Sequence, residues 1–224
     1  MALVNLSLLN KFVVPEVPGC PTALVNNKIV TKVIEFCSIS EAWRHDMTAI
    51  NITPGQSVYT LDIPAETQIV GIKTLFDKDM PIYAKSEKQM DAHWPRSGSS
   101  TAFAPWRTFS GSQAEYFYQP RLSEVRLFPK PSISKTNGLT GTVSVKPLPD
   151  GTVIDEDLYN QFFDALAAGA KAELMAMPKK EWTNDAMVKY YHAKFIAGIN
   201  EAMNQEVKSN QIINFDDGGI AREG

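Results

Sequence analysis

DEDLYNQFFDALAAGAKAELMAMPKKEWTNDAMVKYYHAKFIAGINEAMNQEV, residues 155–207, reads as two amphipathic helices joined by a short proline-containing corner. Asp155 stands at the N-cap position, and Glu156 and Asp157 place negative charge in the first turn, where the helix dipole favours it. Leu158, Phe162, Leu166, Ala170, Leu174 and Met177 recur at helical spacing, and Phe163 and Ala167 widen the stripe. Pro178 stops this helix. Thr183 is the expected N-cap of the second helix, whose Met187, Tyr191, Phe195, Gly198, Ile199 and Ala202 share one side.

Small residues dominate the first of these helices. Ala165, Ala167, Ala168, Gly169, Ala170 and Ala172 leave a nearly bare surface that lets another backbone approach at the short end of the roughly 8–10 Å interaxial range. Two readings follow. The surface packs tightly inside one subunit, or Ala165, Ala168, Gly169 and Ala172 pack against a neighbouring subunit.

Toward the N-terminus the chain changes character in steps. Residues 1–18 read as an arm, broken by Pro15, Pro18 and Gly19, with Pro21 suited to a first helical turn. From Thr22 a third amphipathic helix buries Val25, Ile29, Val33, Phe36 and Cys37, and Ile39 and Trp43 extend it to about Arg44. Thr53-Pro54-Gly55-Gln56 then brings turn chemistry. Short alternating runs follow at 57–61, 68–75, 115–119, 124–128 and 142–146, most of them stopped by prolines, with Gly138 and Gly141 expected to frame a turn. The stretch 76–112 is irregular by composition.

These pieces predict an α+β chain: an antiparallel helical bundle with a β-rich insertion between the first long helix and the C-terminal helical hairpin. The expected divisions are an arm at 1–18, a bundle from 19–50 and 152–208, the insertion at 51–151, and a tail at 209–224. In the tail, Ile212, Ile213, Phe215 and Ile220 are embedded among polar residues and glycines. It either folds back on its own domain or orders on a partner.

The chain's 224 residues carry a formal net charge of −3, so it lacks the basic signature of a duplex-DNA binder. No apolar run reaches the roughly 18 residues of a membrane span, and the N-terminus does not read as a secretory signal, so synthesis in the cytoplasm is expected. Cys20 and Cys37 read as free thiols. His45, His93 and His192 have no metal-ligand spacing, and no phosphate loop, nucleophile elbow or paired-cysteine motif is present. Asp150, Asp155, Glu156 and Asp157 are better explained by a turn and a helix start than by a cation site. Trp94, Trp106, Phe109, Tyr116 and Tyr118 fit core packing better than a face for sugars or bases, because basic residues do not interleave with them. No catalytic, metal or cofactor residue is therefore expected.

The ordered pieces resemble the head-to-tail adaptor (connector, or head-completion) proteins of tailed bacteriophages, particularly short-tailed ones. The resemblance rests on PEVPGCP at 15–21, FCSISEAWRHD at 36–46, PGQSVYTL at 54–61, LFPKP at 127–131 and VKPLPD at 145–150. It is fullest in AAGAKAEL at 167–174 and MPKKEWTNDAMVKYYHAKFIAGI at 177–199. It implies a structural virion protein at the portal vertex, the head–tail interface, made in the host cytoplasm. It further implies a homo-oligomeric ring, commonly of twelve copies, that docks on the portal, extends the DNA channel without binding DNA specifically, and receives tail or nozzle proteins. Portal contact is expected from Ile212, Ile213, Phe215 and Ile220. Another neck or tail-tube protein, or more remotely a carbohydrate-active virion enzyme, would be the alternatives.

Overall fold

The computed structural model describes residues 2–93 and 105–215. In chain order, β1 (Leu3–Asn5), α1 (Asn10–Val13) and α2 (Thr22–Ser40) lead to β2 (Arg44–Asp46), β3 (Ile50–Ile52), β4 (Val58–Thr60) and β5 (Thr67–Asp77). There follow β6 (Met80–Pro81), β7 (Tyr83–Ala84), α3 (Glu87–His93), β8 (Ser110–Gly111), β9 (Tyr116–Arg121) and β10 (Glu124–Phe128). The chain ends with β11 (Lys130–Pro131), β12 (Lys135–Pro147), β13 (Val153–Asp155), α4 (Glu156–Met175) and α5 (Asp185–Phe215).

With 30% strand and several multi-stranded sheets beside five helices, the described chain is β-rich. It is not a helical bundle with an insertion, and the expected fold class is corrected accordingly. The helices declare themselves by periodicity, whereas much of the sheet comes from strands of two or three residues, too short to show alternation. Two compact units divide the chain: Met1–Trp43 with Lys146–Gly224, and Arg44–Val145.

In the first unit, Phe36 of α2 packs at 5.2 Å from Phe162 of α4 and 6.2 Å from Phe195 of α5, ring centre to ring centre. The Asp155 carboxylate accepts from Leu158 N at 3.1 Å and caps α4. Asn184, rather than Thr183, caps α5, its side-chain oxygen accepting from Met187 N at 3.3 Å. Thr183 instead ties the corner, accepting from Lys180 N and donating to Met177 O. α2 ends four residues short of Arg44: Glu41 turns into the left-handed region at φ 52° and its N–H closes on Cys37 O. Trp43, though 1% exposed, therefore lies beyond the helix.

The N-terminal residues do not hang free. β1 pairs antiparallel with β13, Val4 opposite Ile154. Leu6, Leu9, Val13 and Val17 are then buried, each at 3% exposure or less, and the Phe12 ring meets Phe163 at 4.8 Å. Residues 3–17 form a strap across the helices, where composition alone suggested an arm.

The second unit holds a four-stranded sheet in the order β4-β10-β9-β7 and a larger sheet in the order β2-β12-β5-β6, with β3 also on β12. Gly138 and Gly141 lie inside β12, not in a turn. A Cβ on Gly141 would come within 2.3 Å of Thr74 O, and one on Gly138 within 2.7 Å of the Lys135 Cβ. Both glycines mark close approach rather than reversal. The stretch 76–112, read as irregular, supplies β6, β7, α3 and β8. Trp106, Met90 and Phe128 form a buried cluster there, flanked by Tyr116 and Tyr118.

Candidate functional site

The small-residue surface of α4 is filled from within its own chain. Ala165, Ala168, Gly169 and Ala172 are all buried. A Cβ on Gly169 would lie 2.6 Å from Phe195 Cδ2, and one on Gly198 would lie 2.3 Å from the Ala165 Cβ. The close approach is between α4 and α5 of one subunit. Gly169 and Ala165 thus meet α5 of the same chain, and Ala168 and Ala172 are buried within that chain as well.

That packing also sets the register of the hairpin. With Gly169 opposite Phe195 and Ala165 opposite Gly198, the first residue of α4, Glu156, stands level with residue 208 of α5. α5 continues to Phe215, so its last turns run about 10 Å past the start of α4. Ile212, Ile213 and Phe215 thus belong to a helix, in a segment read from composition as a tail. Ile220 and the rest of 216–224 lie outside the described residues.

A polar knot joins the strap to this hairpin. Lys171, buried among the alanines of α4, places Nζ 2.6 Å from Glu16 Oε1 and 4.9 Å from the centre of the Tyr191 ring. The Tyr191 hydroxyl donates to Glu16 Oε2. Burial, with the Glu16 carboxylate added to it, pushes the Tyr191 hydroxyl up to about 12. Burial alone would push the Glu16 carboxyl up, but the bonds from Lys171 and Tyr191 outweigh it and hold the group below the usual carboxylate value. No local sequence pattern joins these three residues. The one visible signal was a lysine in the middle of AAGAKAEL.

On α2 and α4, Glu173 bridges Lys28 at 2.8 Å and Lys32 at 3.0 Å, and Lys32 also reaches Glu35. In the second unit Asp77 and Lys135, both buried, form an ion pair beneath an open groove of about 410 Å³ rimmed by Met80 and Ile133. Since each charge is bound to the other, the groove offers no free charged group at its floor.

The remaining candidates resolve into structure. Asp155 is a helix cap, and Glu156 and Asp157 fill the first turn. Among the described residues no group of three His, Cys, Asp or Glu side chains could hold a metal ion. Trp106 is buried edge-on to Tyr118 and Phe128, donates to Asp91 and lies against Arg107; Phe109 is exposed beside Phe128. Trp94 lies outside the described residues. His45 is in β2 and His192 on the exposed side of α5. Cys20 and Cys37 are free thiols. No described helix is long and apolar enough to cross a membrane.

No curated protein matches the chain. A family model, SU10 adaptor protein, matches residues 28–214, which takes in α2 from Lys28 onward, the second unit and all but the last residue of the helical hairpin. The chain belongs to the SU10 adaptor protein family, structural adaptor proteins of phage virions.

Proposed function

We propose that the protein is a head-to-tail adaptor of a short-tailed phage. Twelve copies form a ring on the portal, continue the DNA channel, and present a docking surface to tail or nozzle proteins. The family match across residues 28–214 is the observation that carries this reading. A formal charge of −3 per copy is compatible with a channel through which DNA slides, since clustered lysines and arginines would hold phosphates in place.

Portal attachment is assigned to Ile212, Ile213 and Phe215 at the end of α5, with Ile220 beyond them. Burying one such side chain contributes about 1.5–3 kcal/mol. A segment that is already helical through Phe215 loses less backbone entropy on docking than a disordered tail would. A ring of copies multiplies weak anchors by raising effective concentration.

Co-sedimentation with portal rings tests this. Truncation after Ser209, and the pair Ile213→Asp with Phe215→Asp, should each leave the protein folded and weaken attachment. Unchanged attachment in both would remove the assignment. Rings should appear on adding portal to a monomeric chain; stable rings of the free protein would count against templated assembly.

A further inference from the structure

The strap is held to the helices by two kinds of contact that differ in quality. Leu6, Leu9, Val13 and Val17 are buried, and the Glu16 carboxylate takes bonds from both Lys171 and Tyr191. Lys171 has a side chain only 9% exposed, and Glu16 neutralises it from the strap. Against these stand two polar atoms with no hydrogen-bond partner. Asn10 Oδ1 belongs to the strap itself, and the Tyr159 hydroxyl lies one turn from Phe163, the residue that receives Phe12. Buried polar atoms are nearly always satisfied, so an orphan on the strap and a second on the residue whose ring stacks on Phe163 disfavour the closed strap relative to one that admits water.

We propose that residues 3–17 are a charge-clasped strap that opens as one unit ahead of global unfolding, with Glu16 as the clasp. Opening releases β1 from β13, bares Phe163 and lets water reach Tyr159. It also separates Lys171 from the carboxylate that compensates it, which keeps the strap closed most of the time. The low position of the Glu16 carboxyl is consistent with a charge used in the closed state. The hinge is short: Pro18 and Pro21 flank Gly19, which holds φ at 78°. Strap and α2 are therefore joined by residues that are already shaped when the strap leaves.

Trypsin cleavage after Lys11, an exposed residue of the strap, reads the open population when reclosing is fast. Cleavage after Lys28 in α2 reports wider unfolding of the same full-length chain. In the starting protein cleavage after Lys11 should be faster, and climb less steeply with urea, than cleavage after Lys28, and Glu16→Gln should speed cleavage after Lys11 about tenfold, because it strands a buried ammonium in the closed strap. Adding Lys171→Met to Glu16→Gln should bring the rate back to within about threefold of the starting protein. Tyr159→Phe, which removes an orphan hydroxyl without touching the clasp, should slow cleavage after Lys11 by about threefold. If cleavage after Lys11 is as slow and as urea-dependent as cleavage after Lys28, or its rate does not move in Glu16→Gln, the strap is not an independent unit. Should Glu16→Gln fail to fold, Tyr159→Phe decides alone, and a rate that does not fall overturns the proposal.

Discussion

Lys135 places its Nζ 2.6 Å from each carboxylate oxygen of Asp77, across 58 residues of sequence. Asp77 also accepts from Ala114 N at 2.8 Å. One buried carboxylate thus joins the end of β5, the start of β12 and the segment before β9. Asp77→Ala should destabilise the second unit by about 3–5 kcal/mol, since it leaves Lys135 buried and uncompensated. Lys135→Met placed with Asp77→Leu should recover part of that loss. Urea unfolding followed by the fluorescence of Trp106, which is buried in the same unit, would show both effects.

Gly169→Ala and Gly198→Ala should each lower stability by about 1–3 kcal/mol through overpacking. The deficit should appear in the monomer, as an earlier thermal transition, since both clashes are with residues of the same chain. A variant that melts normally yet fails to assemble would return this face to the subunit boundary.

The acid side of the stability curve should depend on Glu173. Burial would raise its carboxyl, but bonds from Lys28 and Lys32 outweigh that and lower it. A lowered carboxylate contributes stability that is complete above the ordinary carboxylate value and is lost as pH falls through the folded-state value. Lys32 is shifted the other way: burial would lower it, but Glu35 and Glu173 raise it. Its contribution is complete below the ordinary lysine value and is lost as pH climbs through the raised one. The urea midpoint should therefore be level across the neutral range and fall below about pH 4. Glu173→Gln should flatten the acid fall, as should Glu16→Gln to a smaller degree.

Cys37 is fully buried, and burial pushes its thiol up to about 12. Cys20 is partly exposed and raised by burial to a lesser extent. A thiol reagent should label Cys20 slowly in the folded protein, while Cys37 should react only at the rate of unfolding. Two equally fast thiols would contradict the packing of α2.

Legibility from sequence followed the length of the repeating signal. α2, α4 and α5 each show several turns of periodicity, so their existence and inward faces could be read from Val25 to Phe36, Leu158 to Leu174 and Tyr191 to Ala202. Ends were harder, because Glu41, Thr183 and Asn184 settle them through local hydrogen bonds among residues of similar capping propensity. β2, β3, β6, β7 and β13 were invisible because two or three residues carry no alternation. That failure is what turned a β-rich chain into an expected bundle. Gly138 and Gly141 misled for a related reason: glycine marks both turns and close approach, and only the neighbouring strand tells which. The Glu16–Lys171–Tyr191 knot joins residues 155 and 175 positions apart, a pairing that no local pattern encodes.

If α5 slid along α4 by a turn, about 5.4 Å, Tyr191 or Ile199 would take the place of Phe195 against Gly169. Ala202 or Lys194 would take the place of Gly198, where even a Cβ already falls 2.3 Å from Ala165. The helices have one seating and no intermediate stops. How far the end of α5 reaches beyond Glu156 is thus measured off from two glycines in the middle of the hairpin, as a ruler is read from its zero, and it does not depend on anything at the tip.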